Sequence, residues 1–447
     1  MKFNLNIQNL GNIQNADVEI RPFTLIAGKN SSGKSFITKS LYSVLDALNN
    51  NYIENELIIN IRKIKKNLDL FHSSFSNIVA IDQDFIERFY KNHIDYLEDF
   101  FDIYEDFTDT FIDNLILIKK DIEEYLEKRS TLKKFKNKIK FLKFMIEAIE
   151  TIIQVLKDKR TVIIKGIEKN LNDNFKKNYQ ITSLNPIVNE NSKNKHLQIN
   201  MDGIGKITID KESLLDFEFK VDGVEKIQNL SNVVYLDSPV YIKMKKALEK
   251  NIFNNILFNK SDRYLNKYPL YIEKLYELLD KKYIDQADFE DIHKEITTII
   301  NGELEVNSSG EVEYLQKSGK SIQLSLTAMG ITNLGIISLL LKNNIINKGS
   351  FLIIDEPEIN LHPQWQVELA KLLYKVAQAG ANVIIATHSI DIVKTVELLI
   401  KEDDEDIIAI NKMPFDGEFI DKSKEEKIKD ILTDLSTPFY NLYMEGL

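Results

Sequence analysis

Apolar residues change their period several times along this 447-residue chain, and each change marks an element. Met1 to Ile20 alternates, with Phe3, Leu5 and Ile7 set against Lys2, Asn4 and Asn6; this is the period of an edge strand with one wet face. Phe23 to Ala27, Phe351 to Ile354 and Asn382 to Ala386 are short apolar runs, the pattern of strands buried on both faces of a parallel sheet. Ser35 to Leu48 places Ile37, Leu41, Val44, Leu45 and Leu48 on one helical face. Residues 51 to 177 lack proline and keep apolar positions three and four apart (Phe141, Phe144, Ile146, Ile149, Ile153, Leu156). No a/d heptad persists there, so the spacing predicts a short helical hairpin or bundle and not a long coiled coil. Strand patterns follow at Ile181 to Leu184, His196 to Met201, Lys206 to Ile209, Phe217 to Val221 and Val233 to Leu236. Turns fall at Asp202-Gly203 and Asp222-Gly223. A second helical stretch, Tyr241 to Ile300, leads to a Gly-containing hairpin, Gly302 to Ser325, and a helix from Leu334 to Lys342.

Chemistry sits where these elements end. Gly28-Lys29-Asn30-Ser31-Ser32-Gly33-Lys34-Ser35 matches the phosphate-binding loop, and it lies between a predicted strand and a predicted helix. Glycines let the backbone of Asn30 to Gly33 wrap around phosphates while the first N–H groups of the helix point at them. Lys34 would reach the β- and γ-phosphates, and Ser35 would ligate Mg²⁺. Far downstream, the run Phe351 to Ile354 ends in Asp355-Glu356. Asp355 is placed to hold Mg²⁺ through water, and Glu356 to polarise the water that attacks the γ-phosphate. Such a pair could instead cap the next helix, but the phosphate loop makes the catalytic reading the stronger one. The run Asn382 to Ala386 ends in Thr387-His388-Ser389.

The order of phosphate loop, Leu326-Thr327-Ala328-Met329-Gly330-Ile331, Asp355-Glu356, Leu361-His362-Pro363 and Thr387-His388-Ser389 resembles the ATP-binding-cassette ATPases. Within them it resembles the branch with RecF, Rad50 and the overcoming-lysogenization-defect (OLD) proteins, not the transporters, and most nearly the AAA15-type ATPases, including those of bacterial anti-phage systems. The form Glu356-Pro357-Glu358 followed by Leu361-His362-Pro363 carries that likeness, which covers the first fifty residues and roughly Asn301 to Ile410. The resemblance implies an α/β fold: a cassette-ATPase head with a mixed sheet flanked by helices, antiparallel strands, a helical signature lobe and a helical-hairpin insertion. The implied division is 1–50, phosphate-loop part of the nucleotide lobe; 51–177, helical insertion; 178–238, antiparallel strands; 239–349, helical lobe with signature; 350–447, the rest of the nucleotide lobe.

It also implies that two subunits sandwich two ATPs head to tail. Gly330 is then the signature glycine that meets the partner's γ-phosphate, Asn360, Leu361 and His362 form the D-loop, and His388 is the switch histidine. One position departs from the pattern. The residue before the signature glycine usually offers a hydroxyl; here it is Met329, whose thioether is a weak acceptor and no donor. Either Thr327 or Ser325 supplies the hydroxyl, or backbone and helix dipole act alone, and slow hydrolysis would follow. The glutamine of the usual Q-loop is unassigned, with Gln83 a candidate by elimination.

Composition narrows the rest. The chain has no cysteine, which excludes disulfides, thiolate metal sites and cysteine nucleophiles and suits a cytoplasmic protein. The N-terminus does not read as a signal peptide, and the apolar stretch around Leu334 to Leu341 is too short to span a bilayer. A net charge of −10 does not indicate a broad nucleic-acid surface. Locally, Asp82 to Asp113 holds eleven acidic and two basic residues, and Lys119 to Lys177 seventeen basic and nine acidic. Two arms that neutralise each other explain this most simply; a basic strip for phosphate backbones around Lys133, Lys134, Lys136 and Lys138, or a metal-nuclease site in the acidic arm, are the other readings. The run Glu402 to Asp406 reads as a solvated loop. The 59 residues after His388 are expected to be too few for the nuclease domain of OLD proteins. The expected function is therefore an ATP-binding and hydrolysing switch, a homodimer or larger even-numbered assembly, controlling a separate effector (nuclease or toxin) in a defence-type system. A RecF-like DNA clamp and an ATP-dependent scaffold with little turnover are the alternatives.

Overall fold

The computed structural model describes residues 1–74, 80–94, 97, 109–129, 135, 137–190, 196–244, 268–280, 287–308, 310–413 and 422–445. Its strands are β1 (Phe3–Leu10), β2 (Ile13–Ile20), β3 (Phe23–Gly28), β4 (His196–Met201), β5 (Gly205–Asp210), β6 (Leu215–Phe219) and β7 (Val233–Leu236), then β8 (Gly302–Val306), β9 (Val312–Gln316), β10 (Ser321–Gln323), β11 (Phe351–Asp355), β12 (Asn382–Thr387) and β13 (Ile408–Met413). The chain divides into two compact units, Met1–Asn50 with Glu168–Leu447, and Asn51–Ile167.

In the first unit a parallel sheet runs in the order β13-β3-β12-β11-β7. Every residue of β3, β7, β11 and β12 is buried, which is why those strands read as continuous apolar runs and not as alternations. Register does the functional work. Asp355 pairs with Ala386, Ala386 with Ile26, and Thr387 with Ala27, so the ends of β11, β12 and β3 finish in one row. Ligands of open α/β sheets bind outside that carboxyl edge.

A second, antiparallel sheet has the order β2-β1-β4-β5-β6. The N-terminal strand is not an edge: β1 pairs with β2 on one side and β4 on the other. Its alternation reflects one buried sheet face. Residues Ile181 to Leu184 are not a strand either. The helix Lys159–Tyr179 ends there with Gln180 at φ 55°, and the Ile181 N–H returns to Lys176 O at 2.9 Å, a C-terminal cap that turns the chain into the 3₁₀ segment Asn185–Ile187. Likewise β6 stops at Phe219, and Asp222-Gly223 falls in the first turn of the helix Val221–Gln228. The strands β10-β9-β8 form a third sheet before the signature helix, which spans Met329–Lys342 and thus starts five residues earlier than its apolar pattern shows. The acidic run after the helix Ile390–Ile400 is a built turn: the Asp403 carboxylate accepts the N–H groups of Ile407 and Ile408 at 3.0 Å, and Asp406 meets Arg21 and Lys424.

The second unit contains the helices Tyr52–Ser73, Ala80–Phe89, Asp109–Arg129 and Ile139–Lys157. In the last of these the core face is Leu142, Met145, Ile149, Ile152 and Leu156, while Phe144 is 49% exposed, so the apolar stripe is phased differently from the expected one. Phe85 and Tyr125 stack at 3.8 Å in the same core. Asp82, from the acidic segment, accepts the Tyr125 hydroxyl at 2.6 Å and lies 2.7 Å from Arg129. Most other acidic positions up to residue 108, and Lys133, Lys134 and Lys136, lie outside the described residues. Among the described residues no helix is long and apolar enough to cross a membrane.

Candidate functional site

The phosphate loop leaves β3 at Gly28, where a Cβ would stand 2.4 Å from the carbonyl oxygen of Met413 on the neighbouring β13. Only glycine lets the strand end so close to its partner. Ser31 and Gly33 take φ of 62° and 98°, and the helix Lys34–Leu48 begins directly after. Lys34 is 4% exposed and bends back over its own loop, donating to Gly28 O and Lys29 O, both at 2.9 Å. Burial lowers its pKa from the usual lysine value, while Glu356, Asp355 and Glu358 act in the other direction. Ser32 Oγ is buried without a hydrogen-bond partner, the state expected of a hydroxyl aimed at a ligand.

Asp355 ends β11. Its Oδ2 accepts the Tyr235 hydroxyl at 3.0 Å, and that hydroxyl lies 3.2 Å from Thr38 Oγ1 on the loop's helix. Its Oδ1 has no partner. Burial raises the Asp355 pKa above the normal carboxylate value; hydrogen bonds from Ser35 and Tyr235 and the charge of Lys39 oppose it. A carboxylate with one unpartnered oxygen and a serine hydroxyl are the donors Mg²⁺ takes from protein when phosphates and water complete its octahedron. Among the described residues no group of three or more His, Asp or Glu gathers to hold a metal alone. The residues present therefore fit a Mg²⁺–nucleotide, not a metal caged by protein.

Glu356 adopts φ 55°, rare for a residue with a Cβ. Its N–H donates to Ala386 O at 2.8 Å, which pins the backbone, and its side chain remains 33% exposed. His388 follows β12 directly, its Nδ1 lying 3.6 Å from Glu356 Oε1 and 3.0 Å from Glu358 Oε1. Lys34, Ser35, Asp355, Glu356 and His388 thus converge at one sheet edge although 353 residues separate Ser35 from His388 in the sequence.

The other expected residues gather elsewhere in the same unit. Gly330 lies in the first turn of the signature helix, and a Cβ on it would come within 2.9 Å of Asn360 O. Asn333, one turn on, donates from Nδ2 to Pro357 O at 3.0 Å and Ile359 O at 3.3 Å. The start of the signature helix is so fastened to the loop after Glu356. Asn360 is exposed at φ 62°; Leu361 is buried; His362 caps the helix Pro363–Gln378, its Nδ1 accepting from Gln364 N–H at 3.3 Å. Thr327 turns inward. Its hydroxyl donates to Gln323 O at 3.2 Å and its carbonyl accepts from Lys243, whereas Ser325 is exposed. Gln83 belongs to the helical unit, where its amide donates to Glu87 at 2.9 Å. The tip of β7, beside β11, carries Asp237 instead.

Sequence reasoning missed Tyr235, Asn333 and the part played by Glu358. A tyrosine within the apolar run Val233 to Leu236 and a second glutamate two residues after Glu356 were the available signals.

Among solved structures, the chain is similar to an SMC head bound to the C-winged helix domain of ScpA, with a TM-score of 0.38 and 10% identity over 88% of this chain and 91% of that one. It is also similar to the SMC head domain from Thermotoga maritima, with a TM-score of 0.36 and 11% identity over 88% and 92%. A third is the Smc head domain with a coiled coil and joint from Pyrococcus yayanosii, with a TM-score of 0.36 and 13% identity over 97% and 99%. No curated protein matches the sequence. The AAA ATPase domain, AAA_15, matches residues 1–393, and the chain belongs to that family.

Proposed function

We propose that this protein hydrolyses ATP as a slow switch: it closes head to tail on ATP as an even-numbered assembly and controls a separate effector, a nuclease or toxin, in an anti-phage system. The observation that carries the ATPase reading is the convergence of Lys34, Ser35, Asp355, Glu356 and His388 on one sheet edge, with Glu356 held outward by its positive φ. Lys34 and the N–H groups of the loop neutralise the β- and γ-phosphates. Glu356 takes a proton from the attacking water as its oxygen bonds to the γ-phosphorus and the bond to the ADP oxygen breaks. His388 meets the charge that moves onto the γ-oxygens. Ser35 and Asp355 would hold Mg²⁺, which would neutralise phosphate charge. The inward turn of Thr327 and the thioether of Met329 support slow turnover, since neither offers a free hydroxyl before Gly330. The net charge of −10 favours protein control over a DNA-clamping role. The test is Glu356→Gln: ATP affinity should stay while phosphate release falls about 100-fold or more. Release at the wild-type rate would remove Glu356 from the chemistry.

A further inference from the structure

Two glutamates face one histidine, and their surroundings differ. Glu356 is 33% exposed and Glu358 is 7% exposed, and the buried one lies nearer the ring, at 3.0 Å from Nδ1 against 3.6 Å. The same Glu358 oxygen, Oε1, also accepts the backbone N–H of His388 at 2.8 Å. One carboxylate oxygen therefore holds the main chain of this residue and lies against its ring, whose buried Nδ1 has no hydrogen-bond partner. Just beyond, Ser389 Oγ donates to Gln366 Oε1 at 2.5 Å and accepts from Ile392 N–H at 3.2 Å, so the turn is fixed on its far side too.

We infer that Glu358 is the positioning residue of His388: its buried carboxylate sets the imidazole with Nδ1 turned inward, so that Nε2, on the opposite edge of the ring, faces outward to the γ-phosphate. This rests on the assignment of His388 to the reaction. With the carboxylate 3.0 Å from Nδ1, that edge of the ring faces the protein and Nε2 is the atom left for a ligand. A second argument comes from cost. Glu358 Oε2 is buried without a hydrogen-bond partner, and an unpaired buried carboxylate oxygen is destabilising. An acceptor for the His388 N–H alone could be a neutral amide. The charge is the part that packing does not require.

The experiment is steady-state ATP hydrolysis, with ATP affinity measured separately, on Glu358→Gln, Glu358→Ala, His388→Ala and the double variant Glu358→Ala/His388→Ala. Glutamine keeps an acceptor for the backbone N–H and removes the charge. It should lower kcat about tenfold with KM unchanged, the scale of one lost contact between a charged and a polar group. The double variant should be no slower than His388→Ala, because a residue acting through the histidine has nothing left to act on. If the losses multiply while His388→Ala is itself slow, Glu358 does not work through His388 and the inference falls. Wild-type kcat in Glu358→Gln would also overturn it. Wild-type turnover in His388→Ala would instead remove the histidine from the chemistry, and this role of Glu358 with it.

Discussion

The carboxyl edge of β3, β11 and β12 and the start of the signature helix hold their functional residues in different ways. At the sheet edge, strand register brings Lys34, Asp355, Glu356 and His388 together inside a single chain. At the signature helix, Gly330 is pressed against Asn360 and fastened through Asn333 to the loop after Glu356. The first region has the parts of a nucleotide site. The second is a surface whose proposed ligand is the partner's ATP, tied to the first through residues 356 to 361.

The largest expected effect lies at the sheet edge. Lys34→Ala should lower ATP affinity by at least about 100-fold in a direct binding assay, because a charge-assisted contact to phosphate is lost from a partly desolvated loop. Wild-type affinity would break the contrast at once by removing the phosphate loop from its nucleotide role. The signature side should behave differently. Met329→Ser should raise turnover by up to about tenfold with ATP affinity unchanged, since Thr327 spends its hydroxyl on Gln323. An unchanged rate would mean that backbone or Ser325 already makes the contact.

Asn333→Ala tests the link between the two. It frees the loop carbonyls of Pro357 and Ile359 and should lower turnover by a factor of about five, leaving ATP binding intact; equal loss of binding would show that it only holds the fold. The smallest effect is expected from Tyr235→Phe. Losing a hydroxyl bonded to Asp355 should weaken Mg²⁺-dependent nucleotide binding about threefold, read by titrating Mg²⁺ at fixed ATP.

The same contrast governs what the sequence made legible. Asp355 and Glu356 stand out because a buried parallel strand is an unbroken apolar run, and charges at its end need a reason. Phosphate-loop geometry is equally local, set by Gly28, Gly33 and the helix that follows. Asn333 gave no signal and Tyr235 only a tyrosine in an apolar run, since each acts through partners more than twenty residues away. Met329 to Asn333 was missed as helix because glycine and threonine interrupt the apolar period, although burial of Gly330, Thr332 and Asn333 makes it the helix start. The stripe of the helix Ile139–Lys157 was mis-phased for a related reason. With apolar residues on more than one face, only the packing of neighbouring helices decides that Met145 is buried and Phe144 is exposed.

The central claim is that the sheet edge and the signature helix complete each other only between subunits. The direct measurement is the mass of Glu356→Gln in solution at micromolar protein, with and without saturating ATP and Mg²⁺, beside Lys34→Ala under the same conditions. Glu356→Gln should be trapped by ATP as a dimer or larger even-numbered assembly, with no such shift in Lys34→Ala. A Glu356→Gln protein that stays monomeric with ATP bound would contradict the account.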